Sequence, residues 1–251
     1  MNLAIVQARM GSSRLRGKIL EPIGSSTSLE LVVYRLGNAS SVDKVVVATS
    51  TEPDDDDLVK FCEERDIFTF RGNETNVLSR FLGVVEKYSP KNILRITSDC
   101  PFVDPKLIDG LWQIFIANQL EYASIATGAG FARSSENRFP DGFDAEWISA
   151  SVLQGTADLI TQERDLEHVT SFIWGNPDKF KIGHLYSEFN HGDIRVTLDH
   201  KSDLEFLQLV AGILGNRILT AGHEEIIQTI QKYLGLEQDA LVRETYNEFY
   251  G

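Results

Sequence analysis

Apolar and polar positions alternate along this chain on two different periods. Residues 3–8 form a short apolar run that gives way to a polar, Gly/Ser-containing loop, as a strand buried on both faces does. After the loop, Thr27-Ser-Leu-Glu30 has the spacing of a capping box, and Leu29, Val32, Val33 and Leu36 recur at helical intervals behind it. Residues 45–48 predict a second buried strand. The acidic stretch 54–57 opens a helix whose apolar face is Leu58, Phe61 and Cys62, the carboxylates facing the positive dipole end. A short strand over 67–70, a helix carrying Val77, Leu78, Phe81 and Val85, and a strand over 93–96 follow. Asp104 and Pro105 then suit the N-cap and first turn of another helix.

Strands alternating with helices at this spacing predict βαβ units: an α/β fold with a mostly parallel sheet flanked by helices. The rhythm changes over 121–147, where Gly, Asn and Pro accumulate, and this stretch is expected to be a small irregular β excursion from one domain spanning 1–251. Helical periodicity returns over 150–160 and 166–174. Residues 180–185 and 194–198 read as strands, and three helical segments are expected from Ser202 onward.

Charge narrows the ligand. The net charge of −13 disfavours nonspecific binding to nucleic acid or to an anionic membrane, both of which need a basic face. The first twenty residues nevertheless hold Arg9, Arg14, Arg16 and Lys18 and no acid, which points to a small, highly charged anion. The N-terminus lacks the pattern of a signal peptide, no apolar run reaches the roughly 20 residues of a membrane span, and two cysteines make no disulfide framework; a cytoplasmic protein is expected.

Ligands of open α/β sheets bind beyond the carboxyl ends of the strands, which is where the loop over 7–18 falls. Backbone N–H groups of Gly11, Ser12 and Ser13 could cradle phosphate oxygens while Arg9, Arg14 and Lys18 neutralise charge; a solvated basic loop is the plainer alternative. The spacing fits neither a Walker A loop nor G-x-G-x-x-G, and Gly128-Ala-Gly130 with Arg133 is only a partial fingerprint, best read as a turn. Asp99 and Asp199 each follow an expected strand, so each is a Mg²⁺ ligand or a turn residue, whereas Asp104 and Asp203 read better as helix caps. His168 is packed, capping or catalytic, and Cys100 reads as a packed thiol.

Seven stretches, in order, resemble the cytidylyltransferase family that contains CMP-sugar synthetases, in particular its spore-coat polysaccharide biosynthesis-like branch. They are Ala8-Arg9…Ser13-Arg-Leu-Arg-Gly-Lys18, Val47-Ala-Thr-Ser50, Phe70-Arg-Gly72…Val77-Leu78…Arg80-Phe81, Arg95…Thr97…Asp99-Cys-Pro101, Phe139-Pro-Asp-Gly-Phe-Asp-Ala-Glu146, Glu167-His-Val-Thr170 and Arg195-Val-Thr-Leu-Asp199…Asp203-Leu204. Two positions depart from the family pattern: Arg16 stands where Pro is usual, and Asn76 where Asp is usual.

The resemblance implies a Rossmann-like nucleotidyltransferase fold, CTP over the first strand ends, and attack by an acceptor oxygen on the α-phosphorus with release of pyrophosphate. It implies that Ala8, Arg9, Gly11, Ser12, Ser13, Arg14 and Lys18 hold the triphosphate, that Asp99 and Asp199 hold Mg²⁺, and that Arg71 and Arg80 lie toward the nucleoside. Arg9, Lys18, Asp99 and Asp199 would carry catalysis, and Asp144, Glu146 and His168 would face the acceptor. A sugar acid or phosphorylated small molecule would be that acceptor, in surface-glycan assembly, and the 121–147 excursion would help form a homodimer. A glycosyltransferase using a nucleotide-sugar donor and a non-catalytic nucleotide-binding protein are the alternatives.

Overall fold

The computed structural model of the chain describes residues 1–12, 14–127 and 137–234. Strand β1 (Asn2–Gln7) carries the logic of the fold: Ala4 and Val6 belong to one apolar cluster, Leu3 and Ile5 to another, and all four are fully buried. A strand buried on both faces needs helices on both faces. The chain supplies them around β4 (Lys44–Ser50), β5 (Thr69–Gly72) and β6 (Asn92–Thr97). On one side pack α1 (Ser28–Gly37), α2 (Asp56–Glu63), α4 (Pro105–Ala117), α8 (Lys201–Leu214) and α9 (His223–Leu234); on the other pack α3 (Val77–Tyr88) and α5 (Ala150–Thr156) with α6 (Glu163–His168) and α7 (Ser171–Trp174). A two-residue hairpin pair, β2 (Pro22–Ile23) and β3 (Ser26–Thr27), leads into α1.

Among the described residues the main sheet has seven strands in the order β5-β4-β1-β6-β8-β7-β9, with β7 at Tyr122–Ile125, β8 at Glu146–Ser149 and β9 at Ile182–Leu185. The first four are parallel; β8 runs antiparallel to both β6 and β7, and β9 is parallel to β7. Strand order reverses between β1 and β6: from β1 the chain moves outward to β4 and β5, and from β6 it moves outward in the other direction to β7, which marks the switch point where a crevice is expected in a Rossmann-like nucleotidyltransferase fold. No helix among the described residues is long and apolar enough to cross a membrane.

Local signals hold where the chemistry is local. Thr27 Oγ1 accepts from the Glu30 N–H and the Glu30 carboxylate accepts from the Thr27 N–H, closing the capping box. Asp104 caps α4 by accepting from the Lys106 N–H. Asn76 caps α3 in the same way through Ser79, which accounts for Asn in place of Asp, since the two cap equally well. From Ser202 onward the described chain holds α8, a 3-10 turn at Gly215–Leu219 and α9.

Four expectations change. β5 lies two residues later than the apolar run 67–70, because Arg71 and Gly72 pair with Thr49 and Ser50 while Phe68 is half exposed. The 121–147 stretch is less of an excursion than predicted: its two described ends enter the main sheet as β7 and the start of β8. The helix expected over 166–174 is broken into α6 and α7 by Val169 at φ 60°. Residues 194–198 are extended but pair only through the bridge of Asp141 to Arg195, so they form no regular strand. Ser13 and the Gly128, Gly130 and Arg133 turn lie outside the described residues.

One buried cation braces the crevice from behind. Arg35 on α1 is fully buried and donates to the carbonyls of Val103 (2.6 Å), Ile218 (2.8 Å), Ala221 (2.7 Å) and Phe102 (3.4 Å). Burial lowers its pKa to about 10, partly offset by the nearby Asp104 carboxylate. It thereby fastens α1 to the segment after β6 and to the approach to α9. Arg35→Met leaves those carbonyls without a donor and is expected to cost on the order of 3 kcal/mol, measured as a lower urea midpoint at unchanged m-value.

Candidate active site

The crevice between the ends of β1 and β6 is a cleft of about 300 Å³ lined by Gln7, Ala8, Arg9, Ser12, Arg14, Lys18, Ile19, Thr97, Ser98, Asp99 and Asp199. Its floor is continuous with the sheet: Ala8 N–H donates to the Ala48 carbonyl and Ser98 N–H to that of Gln7. The basic loop is pinned twice. The Met10 carbonyl accepts from the N–H groups of Ser12 and Gly17, and Gly17 turns at φ 73°, a left-handed conformation suited to glycine. On the far side, the Met10 N–H donates to the Asp55 carboxylate at 2.7 Å.

Asp55 is a residue the sequence reading passed over. It lies in the acidic stretch attributed to the helix dipole, yet it is 2 % exposed and also accepts from the Thr49 hydroxyl, the Ser50 N–H and the Ser50 hydroxyl. Burial raises its pKa, but these hydrogen bonds outweigh it and hold the carboxyl below its ordinary value. The strand β4 end and the basic loop are thus locked together through one carboxylate.

Lys18 follows Gly17 and projects into the cleft. Its ammonium lies 2.8 Å from Asp199 Oδ1 and 3.3 Å from Asp99 Oδ2, with only 11 % of the side chain exposed. The carboxylates come together because the Leu198 N–H donates to the Asp99 carbonyl at 2.8 Å, stitching the 194–199 segment to the end of β6. Asp199 Oδ2 is held by Arg195 at 2.5 Å, with Arg14 at 3.6 Å. Burial raises the Asp199 pKa, but the Lys18 charge and hydrogen bond, then Arg195 and Arg14, bring it below the usual carboxylate range. Asp203 caps α8 from its N3 position and is not itself the N-cap: one carboxylate oxygen accepts from the N–H groups of the N-cap His200 and of Asp199, and the other takes Arg195 at 2.7 Å.

The other predicted residues are dispersed. Arg9 and Arg14 reach the cleft from its exposed rim, and Gly11 is exposed without lining it. Arg16 pairs with Asp54 at 2.9 Å outside the cleft, both side chains largely exposed, so the pair contributes little. Neither Arg71 nor Arg80 lines the cleft. Arg71 donates to the carbonyls of Ser50 and Glu52 and pairs with Asp56. Arg80 is buried, bonded to the Asn73 and Glu74 carbonyls, and its Nε has no hydrogen-bond partner among the described residues. His168 is exposed on α6, and no hydrogen bond or ion pair of its ring joins the cleft among the described residues. Burial and Asp99 push the Cys100 thiol well up, which suits a packed thiol.

Beyond Asp99 and Asp199 stand more carboxylates. Glu146, the first residue of β8, pairs with Arg95 at 2.8 Å and accepts from the Tyr122 and Thr170 hydroxyls. Asp144 accepts from the Thr127 hydroxyl and the Gly142 N–H. Asp141 pairs with Arg195 at 3.1 Å and was not foreseen as a site residue. Gly142 brings them here: at φ 109° it packs against the backbone of 196–197, where a Cβ would fall 2.7 Å from the Val196 carbonyl carbon. Burial and then the Asp144 charge push the Asp141 pKa up to about 7 against the pull of Arg195. Folding therefore takes up a proton between the unfolded value of 3.8 and about 7, and this group's contribution to stability falls as the pH rises through that window. Asp141→Asn removes the penalty, so its Tm relative to wild type is expected to be higher at about pH 8 than at about pH 5; a pH-independent difference would contradict this.

Comparison with known proteins agrees with the fold. The spore coat polysaccharide biosynthesis protein SpsF of Bacillus subtilis is 33% identical over 222 residues, covering 86% of this chain and 88% of that one. The 3-deoxy-manno-octulosonate cytidylyltransferase of Fusobacterium nucleatum is 34% identical over 118 residues, 47% of each chain. Among solved structures, a cytidylyltransferase from Leptospira borgpetersenii superposes with a TM-score of 0.86 at 28% identity, covering 95% of this chain and 97% of that one. A CMP:2-keto-3-deoxy-manno-octonic acid synthetase complexed with CTP superposes at 0.65 and 15% identity, over 84% and 98%, a likeness of fold alone. The family model described as cytidylyltransferase matches residues 3–142, more than half of the sequence, and the chain belongs to that family.

Proposed function

We propose that the protein transfers CMP from CTP to a sugar acid or phosphorylated small polar acceptor, releasing pyrophosphate, in the assembly of a surface polysaccharide. The observation that carries this reading is the Lys18 ammonium between Asp99 and Asp199 at the mouth of a basic loop. Acceptor oxygen forms a bond to the α-phosphorus as the bond from that phosphorus to the bridging β-oxygen breaks. Arg9, Arg14 and Lys18 bind the triphosphate and stabilise the charge that collects on the leaving pyrophosphate. The loop is tied to Asp55 at Met10 and turned at Gly17, contacts that would help to hold these donors in place before substrate arrives. Names of relatives, one in spore coat polysaccharide biosynthesis and several acting as 3-deoxy-manno-octulosonate cytidylyltransferases, support the direction of the pathway and the acid class of acceptor.

The donor set fits Mg²⁺. Asp99 and Asp199 offer hard oxygens already gathered around one cation, the lysine ammonium, and two carboxylates leave most of an octahedral shell to phosphate oxygens and water. Bound there, Mg²⁺ would neutralise charge on the triphosphate. Asp144 and Glu146 would face the acceptor from the β8 side, and a homodimer in the cytoplasm remains the expected setting. His168, on the exposed surface of α6, would reach the acceptor only from outside the cleft.

Incubation with CTP, Mg²⁺ and candidate acceptors is expected to release pyrophosphate with CTP in preference to UTP or ATP. Absence of turnover with nonulosonic acids, Kdo-like acids and phosphorylated acceptors, together with no thermal shift by CTP, would overturn the reading. Asp99→Asn is expected to lower turnover by at least roughly 10²-fold, comparable to removal of one strong electrostatic contributor. Asp55→Asn is expected to raise KM for CTP by about 10-fold with a smaller change in kcat, because the loop loses its tether and not its chemistry. Thr49→Val removes one structural hydrogen bond of the same carboxylate and should leave KM unchanged.

A further inference from the structure

We propose that Lys18 is a resident counter-ion of the Asp99–Asp199 pair, so that a divalent cation is admitted only together with the triphosphate. The inference rests on the reading of that pair as the cation site. Backbone at Lys18 is fixed by the 3-10 turn at Lys18–Leu20 and by the buried Ile19 beside it, which leaves the four-carbon stem as the movable part. Its ammonium takes one oxygen from each carboxylate, at 2.8 and 3.3 Å, and so stands where a cation bridging the pair would stand.

Charge decides what happens next. Asp199 already answers to three cations, Lys18, Arg195 and Arg14, while among the described residues Asp99 is ion-paired to Lys18 only. A bare divalent cation entering the pair must displace the ammonium toward Arg9 and Arg14, where the described residues of the cleft lining include no further acid to receive it. The triphosphate removes this obstacle, because its oxygens accept the displaced ammonium and complete the coordination of the metal. Binding of cation and nucleotide is then cooperative, and linkage makes the effect reciprocal: each tightens the other by the same factor. Without nucleotide the same ammonium keeps two facing carboxylates neutralised, so the site is preformed at low cost in repulsion.

Binding of Mn²⁺ in the absence of nucleotide, followed by electron paramagnetic resonance of the free ion, tests this on the full-length protein. Lys18→Met, which keeps the stem and removes the charge, is expected to bind Mn²⁺ at least about 10-fold more tightly than wild type, within the usual range of coupling factors. Lys18→Gln, which restores hydrogen-bond donors without charge, should behave as Lys18→Met if charge is the cause. Equal or weaker Mn²⁺ binding by both variants, each shown to melt cooperatively, overturns the proposal. The double variant Lys18→Met, Asp99→Asn separates the two readings. If it loses the tightened binding, the cation lies at the pair; if it keeps it, the cation lies elsewhere and the assignment of Asp99 fails as well. No gain from Lys18→Met together with loss of Mn²⁺ from Asp99→Asn defeats the counter-ion role alone.

Discussion

Two carboxylates that face each other at the end of a sheet repel, and a cation between them relieves that repulsion. Asp99 and Asp199 are a hundred positions apart in sequence, and the end of the sheet is organised around that requirement. Lys18 supplies the bridging charge, and Arg195 holds the second oxygen of Asp199. Asp203 orients the backbone on which Asp199 sits, and the Leu198 N–H ties that backbone to Asp99. Loss of the Lys18 charge leaves two partly buried carboxylates facing each other. The tight turn at Gly17 follows from the same demand, since it delivers Lys18 to the gap from a loop anchored on Asp55.

Behind this pair the site grows steadily more acidic. Asp141, Asp144 and Glu146 have two arginines to share, and Arg195 is already divided among Asp141, Asp199 and Asp203. Hydroxyls of Thr127, Tyr122 and Thr170 make up part of the deficit by donating to the carboxylates. The Asp141 carboxyl retains its proton at higher pH than an ordinary aspartate because this compensation is incomplete. The surroundings of the cleft thus differ in electrostatic character: basic at the loop, acidic beyond Asp99 and Asp199.

Sequence periodicity made the βαβ core legible, because buried parallel strands and amphipathic helices announce themselves within ten residues. Capping chemistry was equally local, as Thr27, Glu30 and Asp104 demonstrate. Tertiary pairing was not. Asp55 was hidden by a sufficient local explanation, the helix dipole, while its partners Met10 and Thr49 belong to other elements. Asp141 and Arg195 become a pair only through Gly142, whose positive φ and backbone contact with 196–197 leave no periodic signature. Asp203 has the spacing of a cap and does hold the N-cap His200 N–H from the first turn of α8, but its further hold on Asp199 and Arg195 is tertiary and has no periodic signature. The break at Val169 likewise has no Gly or Pro to mark it.

The reversed direction of β8 has a wider consequence. Since it runs against β6, its beginning lies beside Arg95, and Glu146 at that beginning is reached by the loop entering the strand. The parallel strands present their residues from loops that leave them, and those loops hold the basic end of the cleft. Two kinds of loop therefore serve one crevice, each anchored to a different part of the chain. Insertions or replacements before β8 can reshape one side of the crevice while the basic loop and its anchors on Asp55 and Gly17 stay intact.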